Sequence, residues 1–266
     1  MKNNLLVQSL KKFIAGFVTI GVLLFWPAGT LHYWNAWLFV AVLFIPMLLL
    51  GIVMLLRSPE LLEKRLDAKE KVDEQKWVVA LSGIMFLAAF IVAGFNFRYS
   101  WHLLPDYLIW IGVGVFILSY LMYAEVMREN AFLSRIIEIQ ENQKVVDTGL
   151  YGVVRHPMYS ATLFMFLSIP LILGSLVSFV IMLAYIPIIA ARMRSEEKIL
   201  EEGLEGYKEY KQKVRYKVIP LKRQVLKAWF LKAEFPYPHD RLPARRPYHC
   251  ALQIRPFQDH VSARRA

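Results

Sequence analysis

The sequence is poor in cysteine and in charge. Its single cysteine, Cys250, leaves no partner for an internal disulfide and cannot form a Cys-X-X-Cys pair, so a disulfide scaffold and a thiolate zinc site are excluded. The histidines lack metal-site spacing and no glycine-rich phosphate loop is visible, so no metal is expected. Charged residues make up only 20% of the 266 positions.

Apolar residues are abundant instead. They make up 57% of the chain, whereas an ordinary soluble domain is roughly 45–50% apolar even with glycine counted. This composition predicts a membrane protein and excludes disorder over most of the chain. The net charge of +11 then indicates cytoplasmic loops and contact with anionic membrane lipids. We expect no nucleic-acid partner.

Four runs lack Lys, Arg, Asp and Glu altogether. They cover residues 13–56, 77–97, 107–124 and 156–191. A membrane-spanning helix needs about 20 mostly apolar residues. The first run is therefore predicted to hold two helices with a turn near Pro27–Asn35, and the second and third runs one helix each.

The fourth run is divided by Pro170 and by Gly174–Ser175 into segments of about 14 and 16 residues, with Pro187 inside the second. These segments reach only about 21 and 24 Å, short of a hydrocarbon core about 30 Å thick. They predict a helical hairpin that is re-entrant or packed under the other helices; two short spans in a thinned bilayer are the alternative. The fold class is therefore an all-α integral membrane protein with four spanning helices and a C-terminal hairpin, five to six membrane helices in all.

Basic residues predict the orientation. The N-terminal end carries three lysines, residues 57–76 carry six basic residues and residues 128–155 carry four, whereas the other two connections carry none and one. Because positive loops stay in the cytoplasm, we expect a multi-pass protein whose N-terminus and site are cytoplasmic. The loop Arg57–Lys76 is expected to be a surface helix, and the N-terminal run is not expected to be a cleaved signal peptide.

Two polar segments flank the hairpin, Gln143–Ser160 and Arg192–Tyr216, and both are expected to meet at the cytoplasmic surface. In the first, Asp147-Thr148-Gly149 predicts a turn with a positive φ at the glycine. Pro157 suits the first turn of a helix, and His156 and Tyr159 are predicted to meet across that turn. An interfacial belt of Tyr and Arg at a helix end is the alternative.

In the second segment, Arg192 and Glu196 are four residues apart and are predicted to share one helix face. A surface ion pair is the alternative. Tyr207 and Tyr210 are interpreted as packing residues. Upstream, Glu125 is a candidate functional carboxylate near a helix end, and the alternative is an ion pair with Arg128.

The motifs TGLY, RHPMY, RxxxEE and YxxY, followed by Ile-Pro, occur in this order over residues 125–221. In this arrangement the chain resembles the isoprenylcysteine carboxyl methyltransferase family, which groups loosely with phospholipid N-methyltransferases. The resemblance implies S-adenosyl-L-methionine as cofactor, held in a cytoplasm-facing cavity between the final helices. It also implies a lipophilic small-molecule or lipidated substrate that enters sideways from the bilayer.

The resemblance also implies roles for individual residues. Arg192 matches the substrate-side arginine of the family, and Arg155 is a supporting cation in the catalytic set. The cofactor contacts fall on Gln143, Lys144, Val145, Val146, Tyr151, His156, Pro157, Met158, Tyr159 and Glu196. The choice between Glu196 and Glu197 stays open, as does a further polar contact from Glu138 or Gln140.

The acceptor chemistry can be argued from the arginine. A carboxylate is already ionised near pH 7 and needs a positioning cation, which an arginine fork supplies. A phospholipid amine would instead have to lose a proton to a base. Arg192 therefore favours carboxyl O-methylation of an isoprenylcysteine-like group, with N-methylation of a phospholipid or other small lipid as the alternative. A non-catalytic membrane protein is the alternative of another class.

The chain is thus predicted to consist of three parts. Residues 1–127 are transmembrane helices, and residues 128–221 are the methyltransferase core with RHPMY, the hairpin and RxxxEE. Residues 222–266 hold ten basic residues, three acidic residues and five prolines. This basic tail is interpreted as disordered or non-native, and no functional role is assigned to it.

Overall fold

The computed structural model describes residues 2–57, 59–66, 73–101, 103–130, 132–133, 139 and 143–220. Within these ranges β pairing is limited to one bridge, between Leu103 and Ser175. The α-helices are α1 (Lys2–Ala28), α2 (Trp34–Arg57), α3 (Pro59–Leu66), α4 (Asp73–Tyr99), α5 (Asp106–Glu129), α6 (Pro157–Ile172), α7 (Leu176–Met182), α8 (Tyr185–Gly203) and α9 (Tyr207–Lys213), with a 3-10 helix at Gly149–Gly152.

Five segments are long and apolar enough to cross a membrane. They are Leu5–Ala28, Trp34–Arg57, Lys76–Tyr99, Asp106–Glu129 and Leu176–Gly203. The first four coincide with the uncharged runs, and the turn between α1 and α2 falls at residues 29–33, as predicted. The structure therefore confirms an all-α integral membrane protein with four spanning helices followed by a hairpin.

The hairpin differs from the prediction in where its helices break. Its first arm, α6, has 16 residues and reaches about 24 Å, slightly more than predicted, because Pro170 lies inside the helix and does not end it. The second arm, α7 plus α8, runs to Gly203, and its helix continues past the charged Arg192, as the predicted helix face shared by Arg192 and Glu196 requires. It is interrupted at Leu183–Ala184, where the ring of Pro187 would clash with the carbonyl four residues earlier, that of Leu183.

The tip of the hairpin is fastened to the start of α2. The Tyr33 hydroxyl donates to the Leu173 carbonyl at 2.6 Å, and the Asn35 amide donates to the Ile172 carbonyl at 3.1 Å. These carbonyls belong to the last turn of α6, which has no partners within its own helix. Gly174 has a φ of +70°, which allows the chain to reverse directly after α6.

Two glycines allow close approach of the main helix pairs. A Cβ atom at Gly94 of α4 would lie 2.7 Å from the Leu24 carbonyl oxygen of α1, and one at Gly112 of α5 would lie 2.9 Å from the Leu171 Cβ of α6. Real Cβ atoms do not come so close to such neighbours. These small residues therefore allow close packing of α1 on α4 and of α6 on α5.

A buried aromatic core supports the hairpin. Phe39 of α2 contacts Phe90 of α4 and Phe116 of α5, with ring centroids 5.8 and 6.3 Å apart. A second cluster joins α6 to α8 through Tyr159 and Met193. The position of α8 relative to α6, on which the site depends, is set by this packing.

All the strongly exposed tryptophan and tyrosine side chains among the described residues except Trp77 gather at one end of the helices. They flank the connections 29–33 and 100–105, and they are Trp26, Trp34, Trp37, Tyr99, Trp101, Tyr107 and Trp110. Amphipathic aromatic rings of this kind are typical of a membrane–water interface. Their position marks that end of the bundle as an interface.

The basic loop between α2 and α4 is only partly the surface helix that was predicted. Pro59–Leu66 form α3, whose Leu62 is buried against α2 and α5. Asp73–Lys76 instead begin α4, so they continue a spanning helix. Residues 67–72 lie outside the described part of the chain, as does the predicted basic tail 222–266.

Candidate functional site

The approach to α6 is shaped by the 3-10 helix Gly149–Gly152. Gly149 has a φ of +47°, which confirms the predicted turn, and a Cβ atom there would collide with the Glu129 carboxylate. The Leu150 amide donates to that carboxylate at 3.1 Å. The end of α5 thereby holds the start of the RHPMY segment in place.

The RHPMY segment adopts the predicted helix start. Pro157 is the first residue of α6 and His156 is its N-cap, so the missing N–H of proline costs little. The rings of His156 and Tyr159 lie 5.5 Å apart, which confirms that they meet across the first turn. Both side chains are buried.

Arg192 and Glu196 converge on a single hydroxyl. Nε of Arg192 donates to the Tyr159 hydroxyl at 3.2 Å, and that hydroxyl donates to Oε2 of Glu196 at 2.5 Å. The two α8 residues therefore share one face, as predicted, and this face is turned toward α6. The tyrosine that links them is 4% exposed.

These residues line one cavity. It encloses about 890 Å³ of space free of protein atoms, part of it open to solvent. All twelve residues predicted for catalysis or cofactor binding line it, together with Asn130 and parts of α8 and α9. Segments far apart in sequence are thus brought together, whereas Glu138 and Gln140 lie outside the described residues.

Glu196 and Glu197 have different surroundings. Glu196 lines the cavity. Glu197 is 4% exposed and sits behind the cavity wall. Its Oε1 accepts from Nε of Arg155 at 2.9 Å and lies 3.2 Å from Nε2 of His156, and its Oε2 accepts from Lys217 at 2.6 Å. The position of the two carboxylates favours Glu196 as the ligand contact and gives Glu197 a structural role.

Arg155 lines the cavity, but the guanidinium contacts that the structure gives it are with protein groups. Besides Glu197, Nη1 donates to the carbonyls of Val214 at 2.8 Å and Arg215 at 3.0 Å. These contacts match the supporting role predicted for it. They do not bring a reacting group to it.

Residues 214–218 form an extended strap against the RHPMY segment. The backbone amides of Arg155 and His156 donate to the carbonyls of Tyr216 and Lys217, each at 2.9 Å. The Ser160 hydroxyl donates to the Val218 carbonyl at 2.6 Å. This pairing was not predictable from the sequence, because the bonds on the strap side come from backbone carbonyls and not from a recognisable side-chain pattern.

Two tyrosines of α9 complete the cavity wall. The Tyr210 hydroxyl donates to the Tyr151 carbonyl at 2.8 Å, which confirms that Tyr210 is a packing residue. The Tyr207 hydroxyl is buried, and no partner for it occurs among the residues that the structure describes. Burial raises the pKa of both hydroxyls, so both stay protonated. For Tyr207 the packing interpretation is therefore incomplete.

Two further polar side chains lie near the C-terminal end of α5. The Asn130 amide donates to the Tyr151 hydroxyl at 2.9 Å, a contact that sequence reasoning missed. Glu125 accepts two hydrogen bonds from Arg128, at 2.9 and 2.6 Å. This confirms the alternative interpretation of Glu125 as one half of an ion pair.

Comparison with known families locates the most specific similarity in the same part of the chain. No curated protein matches the sequence. Residues 107–205, which supply α5 to α8 and much of the cavity, match the family model of phospholipid methyltransferases (PEMT). This segment is therefore similar to the broad group of membrane methyltransferases that the RHPMY resemblance had indicated.

Proposed function

We propose that the protein is an S-adenosyl-L-methionine-dependent methyltransferase that acts on a lipophilic substrate in the membrane. The family match supports methyl transfer in a membrane protein. The observation that carries the proposal is that all twelve residues predicted from the sequence line the same cavity.

The cavity fits the cofactor in its chemistry. S-adenosylmethionine has a sulfonium cation, an amino acid end and a flat adenine ring, and when bound it supplies an activated methyl group. The Glu196 carboxylate suits the positive groups, and apolar side chains such as Val145 and Leu200 suit the ring. The unpaired Tyr207 hydroxyl is a further polar group that a ligand would satisfy.

Protein groups would contribute mainly alignment and exclusion of water. Tyr159 is central to that role, because its hydroxyl holds Arg192 and Glu196 in fixed positions at the cavity wall. His156 is fixed in turn by Glu197 and by the strap. A wall fixed in this way aligns an acceptor without rearranging during the reaction.

For the acceptor we favour the carboxylate of an isoprenylcysteine-like group. The planar guanidinium of Arg192 presents donors that match a carboxylate. Its Nε–H is already oriented by Tyr159. An ionised carboxylate has no proton to lose, so this chemistry needs no base.

A phospholipid amine is the second candidate, and the family match favours it. An ammonium group must lose a proton before it can accept a methyl group. Glu196, which accepts from the Tyr159 hydroxyl, is the carboxylate at the cavity wall that could take that proton. The two candidate acceptors would therefore depend on different residues: a carboxylate on Arg192 and an amine on Glu196.

Membranes that contain the protein, incubated with cofactor carrying a labelled methyl group, test both the activity and the acceptor. We expect label in the lipid-soluble fraction, absent from membranes without the protein. Release of the label by mild base indicates an ester, whereas base-stable label in phospholipid indicates N-methylation. If the protein binds the cofactor but no label reaches the lipid-soluble fraction, methyl transfer to a membrane acceptor is contradicted.

A further inference from the structure

Tyr207, the first residue of α9, has an unusual hydroxyl. Among the residues that the structure describes, it is the one buried side-chain polar atom without a hydrogen-bond partner. Tyr207 is 4% exposed and lines the cavity. Because buried polar groups in folded proteins nearly always have a partner, an unpaired hydroxyl on a residue that lines a cavity is a candidate for a contact that a ligand completes.

The hydroxyl is a donor in this environment. Burial, together with the nearby carboxylates of Glu197 and Glu196, raises the pKa of Tyr207, and Arg155 offsets this only in part. The group therefore keeps its proton and has an O–H to donate. The same two carboxylates oppose an anionic acceptor at this position and favour a neutral one.

The rest of its surroundings are apolar. Tyr207 belongs to a cluster with Tyr210 and Val214, against which Val145, Leu200 and Leu204 pack. Flat apolar surfaces suit an aromatic ring of a ligand. Of the parts of S-adenosylmethionine, only the adenosine combines a flat ring with neutral hydrogen-bond acceptors.

We infer that the Tyr207 hydroxyl donates a hydrogen bond to a neutral acceptor on the adenosine part of the ligand held in this cavity. The inference rests on the proposed function, because it takes the ligand to be S-adenosylmethionine or its demethylated product. It makes Tyr207 a binding residue for the nucleoside, in addition to the residues predicted from the sequence.

Calorimetric titration of the purified full-length chain with two ligands tests this contact. One ligand is S-adenosylhomocysteine, and the other is 5′-methylthioadenosine, which keeps the adenosine but lacks the amino acid end. Loss of one hydrogen bond predicts that Tyr207→Phe weakens binding of both by about 3- to 10-fold. Without ligand, the variant should unfold at the same temperature as wild type or higher, because an unpaired buried hydroxyl has been removed.

Tyr185→Phe is the matched control. Tyr185 is also buried, but its hydroxyl donates to Thr162 at 3.1 Å and the residue does not line the cavity. This variant should lower the unfolding temperature slightly and leave both affinities unchanged. The two variants should therefore show opposite effects: Tyr207→Phe lowers affinity without lowering stability, and Tyr185→Phe lowers stability without lowering affinity.

The binding results distinguish a failure of the Tyr207 inference from a failure of the proposed function. Unchanged affinity of folded Tyr207→Phe for both ligands would overturn the inference alone. A loss confined to S-adenosylhomocysteine would place the contact at the amino acid end and overturn the assignment to adenosine. Failure of folded wild type to bind either ligand would contradict the proposed function, and the inference with it.

Discussion

Glu196 and Glu197 are adjacent in sequence, but they lie on opposite sides of the cavity wall. Glu196 faces the cavity and accepts a hydrogen bond from Tyr159, whereas Glu197 is buried behind it against Arg155, His156 and Lys217. Successive residues on an α-helix point about 100° apart. One helix can therefore present a ligand contact and a structural anchor side by side.

Substitution of each glutamate by glutamine should separate the two roles. Glu196→Gln should weaken S-adenosylhomocysteine binding by about 10- to 150-fold, since a charge-assisted contact is worth roughly 1.5–3 kcal/mol. Its thermal stability should stay near that of wild type. Calorimetry and thermal unfolding of the same preparation measure both quantities.

Glu197→Gln should instead lower thermal stability more than it lowers ligand affinity. Breaking a buried ion pair from one side costs about 3–5 kcal/mol, because the partner charge stays buried. We therefore expect a clear fall in unfolding temperature. Stability equal to wild type in Glu197→Gln, together with a marked fall in Glu196→Gln, would contradict the assignment of the two carboxylates.

Arg192→Lys tests the role of the guanidinium. Lysine keeps the positive charge but loses the planar pair of donors and the Nε–H that reaches Tyr159. Cofactor affinity should stay within a few fold, while single-turnover methyl transfer should fall by about 10- to 150-fold. Arg194→Lys is the control, since Arg194 is on the same helix, outside the cavity, and donates to the Ala190 carbonyl.

If Arg192 is only part of a structural ion pair, the outcome differs. Arg192→Lys would then lower stability by at most about 1 kcal/mol and transfer methyl groups at nearly the wild-type rate. Near-normal transfer by both lysine variants would remove Arg192 from the acceptor site.

Truncation tests the strap formed by residues 214–218. A chain that stops after Leu221 keeps the carbonyls that accept from Arg155 and His156, so its affinity for S-adenosylhomocysteine should stay within a few fold of wild type. A chain that stops after Lys213 loses these carbonyls and the Lys217 partner of Glu197. We expect it to unfold at a markedly lower temperature and to bind poorly. Equal binding by both chains would show that the strap does not support the cavity.

The helices and the composition of the cavity could be predicted because both depend on local signals. Long uncharged runs predict spanning helices, and the family resemblance that RHPMY and RxxxEE carry implied twelve residues that the structure brings together. The continuation of α8 past Arg192 was predicted from the spacing of Arg192 and Glu196, but the break before α8 was not. This break follows from Pro187, but only once the helix around it is known.

Other features depend on distant partners and leave no pattern in the sequence. Which of Glu196 and Glu197 lines the cavity depends on which face of α8 meets the strap and Arg155. Among the described residues the Tyr207 hydroxyl has no partner and the Tyr210 hydroxyl has one. This difference is visible only when the neighbours of both are placed, because the sequence led to the same packing interpretation for both.

The orientation predicted from basic residues can be measured by cysteine labelling in a Cys250→Ser background. Cysteines at Asn3, Gln75 and Gln143 should react only with reagents that cross the membrane, because positive loops stay in the cytoplasm. A cysteine at Ser100, in the turn after α4, should react from outside. Labelling of position 143 by an impermeant reagent would contradict a cytoplasmic cavity.

Equilibrium binding of S-adenosylhomocysteine to the purified full-length chain tests the central claim most directly. The account predicts saturable binding of one ligand per chain to wild type, displacement by S-adenosylmethionine, and affinity lowered by about 10-fold or more in folded Glu196→Gln. Absence of saturable binding to folded wild type, or equal affinity of wild type and Glu196→Gln, would contradict a cofactor site at this cavity.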